Sequence, residues 1–477
     1  MYCFMGTLIG TLVGVLPGLG PAAAIALLLP STFHTTPVSA TIMLAGIYYG
    51  AMYGGSTTSI LVNIPGEAAS VVTCLDGHKM ALKGRAGPAL GIAAFGSFIA
   101  GTFGVIALTI TGPLLSGVAL RFGPPEYFAM MIVGITVLTY LSSGSMLKSL
   151  LMAAVGLILG GIGMDAISGK YRFTYGLQVL ADGVGLVPVV MGLFGITEVL
   201  ENLETEIKRD IVSTKFKNLF PTLQDWKDSA GPIGRGTILG FFLGLVPGGG
   251  AIIASFASYA IEKKVAKNPE EFGHGAIQGV AGPESANNSA ASGNFIPLLT
   301  LGIPCNAVMA ILLGALMIHG LQPGPLLMTK APDLFWGTIV SMYIGNVMLL
   351  VLNLPLIGLW VKVLKVPYYL LYPLILLFCL IGAYSLNNSA GDVLVMLIFG
   401  IVGYLMRKFR YDGAPLVLAL VLGPMLEEAF RQSLMLSKGD FSIFISRPLS
   451  LAFLIIAALL IILPIITQRK KLATLEE

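Results

Sequence analysis

Apolar runs close to the length of a membrane crossing alternate with short polar loops along most of the chain. A straight α-helical crossing needs about 20 consecutive residues that are mainly apolar. Nine single runs of this kind lie near 89–112, 126–141, 146–163, 183–199, 334–359, 367–385, 392–406, 414–428 and 450–467. This pattern predicts an all-α polytopic membrane protein.

Two further apolar regions are interrupted by proline and glycine. Residues 2–16 are apolar, but the run stops at 17–21, which reads Pro-Gly-Leu-Gly-Pro, and it resumes at 22–29. Neither piece reaches crossing length, and proline ends a helix because it lacks a backbone N–H and its ring clashes with the preceding turn. We therefore expect a broken helix or a re-entrant hairpin with its tip near Pro17, and a second one with its tip near Pro247.

Two sequence patterns occur twice, which predicts an internal duplication. The first reads Gly-Thr-Leu-Ile-Gly and then Gly-Val-Leu-Pro-Gly within 6–18. It returns as Gly-Thr-Ile-Leu-Gly and Gly-Leu-Val-Pro-Gly within 236–248, at an offset of 230 residues (236 minus 6). The second pattern relates 53–65 to 292–304 at an offset of 239 residues (292 minus 53), and both segments end in Ile-Pro.

The overall composition excludes an ordinary soluble globular protein. Of 477 residues, 56% are hydrophobic and only 11% are charged, and the mean hydropathy is +0.87, so polar side chains are too few to cover a water-exposed surface. The net charge of +4 comes from short basic runs between apolar segments, which indicate membrane topology rather than a nucleic-acid partner. The four cysteines are isolated from one another and form no metal or redox motif.

The distribution of Lys and Arg predicts that the two copies are inverted, because these residues are retained in cytoplasmic loops. In the first copy, loop 31–37 has no Lys or Arg, whereas loop 77–88 has Lys79, Lys83 and Arg85. The second copy reverses this order. Its first loop, 263–267, contains three lysines, and loop 319–325 contains no basic Lys or Arg residue.

The same rule predicts the domain organisation. A first membrane repeat at 1–199 is followed by a charged cytoplasmic linker at 200–231 and by a second repeat at 232–477, which ends in a helix and a short basic tail. Counting one crossing for each central broken helix gives 11 crossings (4 + 5 + 2), so about 11–12 transmembrane segments are expected. Lys170 and Arg172 fall on the external side and are exceptions to the rule.

A dense group of polar residues lies between 276 and 304, in a stretch whose prolines and glycines predict broken backbone. It contains Glu284, Ser285, Asn287, Asn288, Ser289, Ser292 and Asn294. Polar side chains and broken backbone at membrane depth occur where they line a cavity or are buried in protein, so this stretch is a candidate binding site. For Glu284 a second interpretation stays open, namely a helix-terminal carboxylate that accepts hydrogen bonds from neighbouring backbone N–H groups.

Inverted repeats with paired broken segments are typical of a secondary transporter whose site lies between the copies near the bilayer midplane. Helix N-termini suit an anion, and unwound carbonyls suit a cation such as sodium. We therefore expect a carboxylate to be held by Gly18, Gly20, Ser56, Thr57, Thr58, Asn63, Gly248, Gly249, Asn287, Asn288, Ser289 and Asn294. A sodium site is expected around Asn63, Glu284 and Asn288, with no resident cofactor and no catalytic residue.

Several of these motifs resemble one transporter family. The segments at 53–67, 283–288, 299–304, 384–389 and 403–408 are similar to those of the large permease subunit of the tripartite tricarboxylate transporters. The resemblance implies a bacterial inner-membrane importer of carboxylates, driven by a cation gradient. It also implies two partners, a small membrane subunit and a periplasmic solute-binding protein.

Two departures from the family pattern are visible. The family usually has a further apolar segment before Tyr2, which suggests a shortened start, and often has Glu where this chain has Gln278. The second departure argues against a proton relay at that position.

A membrane-embedded protease and an ion channel are the two alternatives to a transporter. A membrane-embedded protease needs a catalytic pair at depth, whereas Asp165, Asp182 and Asp392 lie apart at the ends of predicted segments. An ion channel would more naturally present rings of like residues from an oligomer than inverted broken helices within one chain. For a transporter, we expect the four motifs to move together as an elevator against a scaffold at 89–163 and 334–406, which could also form a homodimer interface.

Overall fold

The computed structural model of the protein describes residues 1–16, 20–119, 122–141, 145–165, 167–204, 219–246, 250–366 and 368–476. In the first half the helices are α1 (Tyr2–Val15), α2 (Pro21–Leu28), α3 (Pro37–Val62), α4 (Val71–Met80), α5 (Ala86–Ala119), α6 (Pro124–Leu141), α7 (Met146–Gly160), α8 (Leu186–Val190) and α9 (Thr197–Glu204). A π-helical segment, Met191–Ile196, joins α8 to α9. The two-residue strands β1 (Gly163–Met164) and β2 (Tyr171–Arg172) pair antiparallel in the loop after α7.

The second half continues the all-helical pattern. Its helices are α10 (Leu223–Leu245), α11 (Gly250–Val265), α12 (Gln278–Gly293), α13 (Phe295–Leu301), α14 (Ala307–Ile318), α15 (Leu327–Lys330), α16 (Pro332–Asn353), α17 (Ile357–Val363), α18 (Tyr368–Asn387), α19 (Ala390–Lys408), α20 (Ala414–Leu436), α21 (Ile443–Ser446) and α22 (Pro448–Glu476).

The nine predicted apolar runs fall mainly on helices. Run 183–199 is divided among α8, the π-helical segment and α9, run 334–359 is divided between α16 and α17, and run 146–163 extends beyond α7 to β1. Within the described residues, five helical stretches are long and apolar enough to cross a bilayer, and they are Ala68–Gly117, Leu186–Glu204, Pro332–Asn353, Leu370–Asn387 and Ala390–Lys408. Shorter apolar helices accompany them, among them Tyr2–Val15, Pro21–Thr32 and Ala307–Ile318. The prediction of an all-α multi-pass membrane protein is therefore confirmed, and the total of 11–12 crossings stays a prediction.

The expected break inside the polar stretch 276–304 was wrong in its position. Pro283 lies within the continuous helix α12. The surrounding helices bury all of 279–293, and buried packing of this kind holds a helix together across a proline. The backbone leaves the helical path only at Gly302, whose φ is 72°.

The corresponding break in the first copy occurs at the matching residue. Helix α3 runs unbroken to Val62 and ends at Asn63, whose φ is 59°. Asn63 and Gly302 are separated by the offset of 239 residues, and an Ile-Pro pair follows each of them. A left-handed residue followed by proline is a strong helix stop, since the proline cannot continue the helix. Both copies therefore end their polar helix in the same way.

Glycines hold one pair of helices in close contact in each copy. A Cβ at three glycines of α1 would collide with backbone carbonyls of α3, and the pairs are Gly6 with Met43, Gly10 with Ile47 and Gly14 with Ala51. In the second copy α10 approaches α12 in the same manner, and the pairs are Gly236 with Gly282, Gly240 with Ala286 and Gly244 with Ala290. The two sets are related by the offsets of 230 and 239 that relate the sequence motifs. This match supports the internal duplication.

Each copy contributes one long helix that packs against the polar helix of the other copy. Helix α5 packs mainly against α12 and also against α10, whereas α16 packs mainly against α3 and also against α1; α5 and α16 contact each other as well. Asn288 on α12 donates a hydrogen bond from Nδ2 to Ser97 Oγ on α5 at 2.8 Å. On the other side, Tyr53 on α3 donates to Asn346 Oδ1 on α16 at 2.7 Å. The packing therefore places α5 and α16 with the polar motifs, although 89–163 and 334–406 were predicted to be scaffold.

A second group of helices surrounds this core. Helix α20 packs against α7 and α6, α22 packs against α6, and α19 packs against the Met191–Ile196 segment. At one end of the group Arg447 pairs with Glu126 at 3.3 Å. These helices contact the core mainly through α2 and α14, so the molecule has two packed layers with an interface between them.

Ion pairs account for Arg172, one of the two basic residues predicted on the external side. Arg172 pairs with Glu427 at 2.8 Å and lies 3.9 Å from Asp165. Asp165 also pairs with Arg431 at 2.9 Å. Hydrogen bonds from the Ser168 hydroxyl and a backbone N–H, together with the Arg431 guanidinium, hold the pKa of the Asp165 carboxyl well below its usual range. The positive charge of Arg172 is therefore neutralised locally.

Candidate functional site

A cavity of about 710 Å³ lies between the core and the surrounding helices. From the core it is lined by the starts of four helical segments, which begin at Gly20, Glu67, Gly250 and Asn306. From the other side it is lined by the Met191–Ile196 segment, the end of α19 and the start of α20. A volume of this size fits a small organic molecule.

The four helix starts belong to the two sequence copies in matched pairs. Gly20 before α2 and Gly250 at the start of α11 are related by the offset of 230, and Glu67 and Asn306 are related by the offset of 239. Each start presents backbone N–H groups that have no partner within the helix, together with the positive end of the helix dipole. The cavity therefore collects four helix starts, two from each copy. Glu67 and Asn306 cap their own helix starts with their side chains, so the starts at Gly20 and Gly250 are the two that favour an anion.

Glycine leaves two of these helix ends open to the cavity. A Cβ at Gly20 would meet no atom of the described residues within 4 Å, so the space beside its backbone is open on that side. Gly250 has a φ of 44°, a conformation that glycine adopts without strain, and the nearest atom to a Cβ there would be Nδ2 of Asn306 at 4.0 Å. A ligand can therefore approach the backbone at both positions.

Tyr48 adds a hydroxyl to the cavity wall. Its side chain is 1% exposed, and its oxygen accepts hydrogen bonds from Asn294 Nδ2 at 2.9 Å and from Asn306 Nδ2 at 3.3 Å. Both amides donate to the phenol oxygen, so the phenol hydrogen has no acceptor in these two contacts. Asn294, a predicted substrate residue, lies one layer behind the cavity and orients Tyr48.

Arg407 and Arg410 place positive charge on the opposite wall. Arg407 pairs with Glu198 at 2.7 Å and also with Glu201. Arg410 is exposed and has no ion pair among the described residues. It occupies the left-handed position after α19 (φ 57°), where the N–H of Tyr411 closes the turn on Met406. This turn directs the start of α20 toward the cavity.

The sequence interpretation missed both arginines as cavity residues. They were treated as topology signals, since basic residues at the end of an apolar run are typical of a cytoplasmic loop. A usable signal was present, because the basic run leads within a few residues to Gly413-Ala414-Pro415 and hence to another helix start.

The other predicted substrate residues lie in different places. Gly20 lines the cavity, whereas Gly18, Gly248 and Gly249 lie outside the described residues, as do the expected hairpin tips Pro17 and Pro247. Ser56 and Thr57 border a separate void of about 10 Å³ inside the core.

Two hydroxyls of the predicted set bond to backbone carbonyls of neighbouring helices. Thr58 donates to the carbonyl of Val15 at 2.8 Å, and Ser289 donates to that of Thr237 at 2.7 Å. Each bond joins the polar helix of one copy to its glycine-rich partner.

Glu284 is the centre of a second polar site, which lies inside the core. Its carboxylate is fully buried and accepts hydrogen bonds from Ser56 at 2.5 Å, from Thr73 and from Asn287 at 3.3 Å. Among the described residues it has no ion pair with Lys, Arg or His. Asn288 donates to the backbone carbonyl of Glu284 at 3.1 Å. A buried carboxylate held only by neutral donors therefore connects α3 and α4 of the first copy to α12 of the second.

Asn63 is separate from this group. It is exposed at the end of α3 and makes no hydrogen bond with Glu284 or Asn288 among the described residues. The sodium site predicted around these three residues is therefore brought together only in part. Ser56, Thr73 and Asn287, the three residues that bond to the Glu284 carboxylate, form a tighter set than the one that the sequence indicated.

A multi-pass helical membrane protein with helix ends directed into an interior cavity belongs to the class of membrane transport proteins. Residues 1–418 match the tripartite tricarboxylate transporter TctA family, and the chain belongs to this family. The matched range includes every cavity-lining residue. The family is a family of transporters rather than of enzymes, which agrees with the expectation of a non-enzyme.

Two relatives from Agrobacterium vitis are also similar to the chain. One, described as an uncharacterized 52.8 kDa protein in the TAR-I ttuC' 3' region, is 51% identical over 480 residues and covers all of this chain and 96% of the relative. The other, described as an uncharacterized protein in the TAR-II ttuC' 3' region, is 51% identical over 241 residues and covers half of this chain and all of the relative. No solved structure matches the chain.

Proposed function

We propose that the chain is the large membrane subunit of an importer that carries tricarboxylates or other carboxylate anions across the bacterial inner membrane. The observation that carries this proposal is the cavity itself, in which helix starts from two matched copies face Arg407 and Arg410; Glu67, Glu201 and Asp412 also line it. Membership of the TctA family supports the class of substrate. It also supports the two expected partners, a small membrane subunit and a periplasmic solute-binding protein.

The helix ends alone would hold an anion weakly. Each uncapped end contributes roughly 0.3–1 kcal/mol, so the two at Gly20 and Gly250 contribute about 0.6–2 kcal/mol, which is less than the value of about 4 kcal/mol that corresponds to millimolar affinity. A tighter complex needs a full positive charge. Arg407 already neutralises two glutamates, which leaves Arg410 as the cation that is available to the substrate.

Uptake of a radiolabelled carboxylate into proteoliposomes that contain all three subunits tests the proposal. Uptake should saturate, require the binding protein and weaken as ionic strength rises. Arg410→Gln should raise the half-saturating concentration about two- to fivefold, a modest effect because the side chain is exposed. Lys267→Gln removes an exposed cation that does not line the cavity, and it should leave uptake unchanged. Flux that does not saturate would instead indicate a channel.

A coupling cation is the second part of the proposal. A buried carboxylate without a cationic partner is costly unless a proton or a metal ion neutralises it. Glu284 meets this description. The hydroxyl oxygens of Ser56 and Thr73 lie beside it, and Asn287 donates to it through Nδ2. We expect sodium, as a co-substrate, to bind beside Glu284 during symport.

The cavity position supports alternating access by relative movement of two bodies. The core carries the four helix starts, and the surrounding helices carry the two arginines, so a shift of the core would open and close the cavity. Inverted copies would make the two open states equivalent. Two contacts support the inversion. Phe33 lies beside His319 with ring centroids 6.2 Å apart, so the first loop of the first copy lies on the same side of the molecule as the second loop of the second copy. Lys83 donates to the His274 carbonyl at 2.7 Å, so the second loop of the first copy lies on the same side as the region after the first loop of the second copy.

A further inference from the structure

The loop that follows α7 exposes an unusual amount of apolar side chain. We call residues 164–179 the apolar loop, and all of them except 166 belong to the described part of the chain. Seven of its side chains are large, apolar and between 47% and 86% exposed, and they are Met164, Ile167, Tyr171, Phe173, Tyr175, Leu177 and Val179. Surfaces that face water rarely gather apolar side chains in this way, so the apolar loop is expected to contact an apolar partner.

The charged residues of the apolar loop are mostly paired within the protein. The Arg172 guanidinium donates two hydrogen bonds to the Glu427 carboxylate, at 2.8 and 3.1 Å. Asp165 pairs with Arg431 at 2.9 Å, and both partners lie on α20. Lys170 is the one charged residue of the loop that has no ion pair among the described residues. Paired charges beside exposed apolar side chains are typical of a segment that lies against lipid.

Helix α7 is too short to cross the bilayer alone. It has 15 residues, which rise about 22 Å, whereas the hydrocarbon core is about 30 Å thick. Lys148, in its first turn, donates to the carbonyl of Phe409 at 2.7 Å, beside the basic run 407–410 that is predicted to be cytoplasmic. About 8 Å of hydrocarbon therefore lies beyond Gly160, at the level of the residues that follow α7.

The apolar loop also continues the exposed apolar sides of two membrane helices. On α7 these side chains recur every three or four residues, and they are Leu147, Leu151, Val155 and Ile158. At the other end of the loop Val179 lies against Gly391, where a Cβ would be 2.5 Å from its Cγ1. Gly391 is at the start of α19, whose exposed apolar side chains include Leu394, Ile398, Ile401 and Leu405. Lipid is therefore the partner that both neighbouring surfaces already require.

We propose that residues 164–179 form a membrane anchor, which lies at the lipid interface beyond the end of α7 with its exposed apolar side chains in lipid. Tyr171 and Tyr175 suit this depth, because tyrosine is enriched where headgroups meet hydrocarbon. The long side chain of Lys170 can extend its ammonium group to the headgroups. This inference does not depend on a transported substrate, since it concerns only how the chain contacts the bilayer.

Spin labels on the full-length chain, in nanodiscs of phosphatidylethanolamine and phosphatidylglycerol, test the proposal. Tyr175→Cys and Leu177→Cys are labelled singly. Paramagnetic relaxation then measures their accessibility to oxygen, which concentrates in lipid, and to a neutral nickel chelate, which stays in water. At both positions the ratio of oxygen to nickel accessibility should rise above that of the water-exposed control and approach that of the lipid-facing control.

The chain offers a control of each kind. Lys267→Cys lies in an exposed loop that is predicted to be cytoplasmic, and Leu151→Cys lies on the exposed apolar side of α7. The unlabelled background comes from the wild-type chain, in which Cys3, Cys305 and Cys379 are buried. A second measurement does not need a cysteine. Tyr175→Trp keeps an aromatic ring, and brominated lipids should quench its added fluorescence.

Three results would overturn the anchor. Nickel accessibility at both loop positions as high as at Lys267, with no quenching of Tyr175→Trp, would place the loop in water. Low accessibility to both oxygen and nickel would show that protein, such as a second copy of the chain, covers it. Protection from nickel that develops only when the soluble binding protein is added would assign the loop to that protein instead of lipid.

Discussion

Replacing Gly240 with alanine tests whether the close approach of α10 to α12 is essential. The new Cβ would lie 2.7 Å from Cα of Ala286, whereas carbon atoms in ordinary contact are about 3.5–4.0 Å apart. The helices must therefore separate by roughly 1 Å, and overpacking of this kind costs about 1–3 kcal/mol. We expect Gly240→Ala to lower the thermal unfolding temperature of the purified protein in detergent.

A second glycine on the same helix provides the matched control. A Cβ at Gly234 would meet no atom within 4 Å, so Gly234→Ala gains helix propensity without a clash. Because both changes add the same methyl group to α10, their propensity gains of up to about 1 kcal/mol cancel in the comparison. The difference in unfolding free energy should therefore report the clash of about 1–3 kcal/mol.

The duplicated architecture makes the same prediction for the first copy. Gly10 matches Gly240, and its Cβ would lie 2.8 Å from Cα of Ile47 on α3. Gly10→Ala should therefore destabilise the protein by a similar amount. If Gly240→Ala and Gly234→Ala unfold at the same temperature, the helices do not need the close contact, and the argument from matched glycine contacts is refuted.

Two further predictions concern coupling and movement. Glu284→Gln keeps the size of the buried side chain but removes its charge. A sodium gradient should then no longer drive uptake, while exchange of labelled for unlabelled substrate continues. Glu271→Gln, a change at an exposed site, should alter neither uptake nor exchange. Cysteines at Ser56 and Ser289 should change their reaction rate with a thiol reagent together when sodium and substrate are added, because both lie in the core.

Cysteines at Ala154 and Leu397 are the controls for the second experiment, since α7 and α19 belong to the surrounding helices. They should not respond to sodium and substrate. Independent responses at Ser56 and Ser289 would contradict a single moving body and favour local gating. For Glu284→Gln, uptake that still follows the sodium gradient would place the coupling ion elsewhere.

The sequence predicted the helices well because apolar length is a local property. The runs of the required length fall mainly on helices, and repeated motifs gave the offsets that later matched the contacts at Gly10 and Gly240. The breaks were less predictable. Pro283 is a strong local stop signal, but burial on all sides of α12 outweighs the lost hydrogen bond, and the actual stop occurs at Gly302.

The cavity could be predicted only in part. Helix ends were expected to hold an anion, and Gly20 does line the cavity, but Ser56 and Ser289 were included because they are polar within apolar sequence. Their hydroxyls bond to other groups inside the core instead. Arg407 and Arg410 reach the cavity because α19 packs near helices from distant parts of the chain. The local signal at 413–415 marks a helix start but does not specify that packing.

The packing of α5 and α16 against the polar helix of the other copy has a consequence for biosynthesis. Helix α5 leaves the ribosome more than 100 residues before its main partners α10 and α12, since its range is Ala86–Ala119 and theirs begin at Leu223 and Gln278. During that interval Ser97 lacks its hydrogen-bond partners Asn288 and Glu284, which both belong to α12. The first half of the chain therefore cannot reach its final packing until the second half has been inserted, which makes folding of the core a late event.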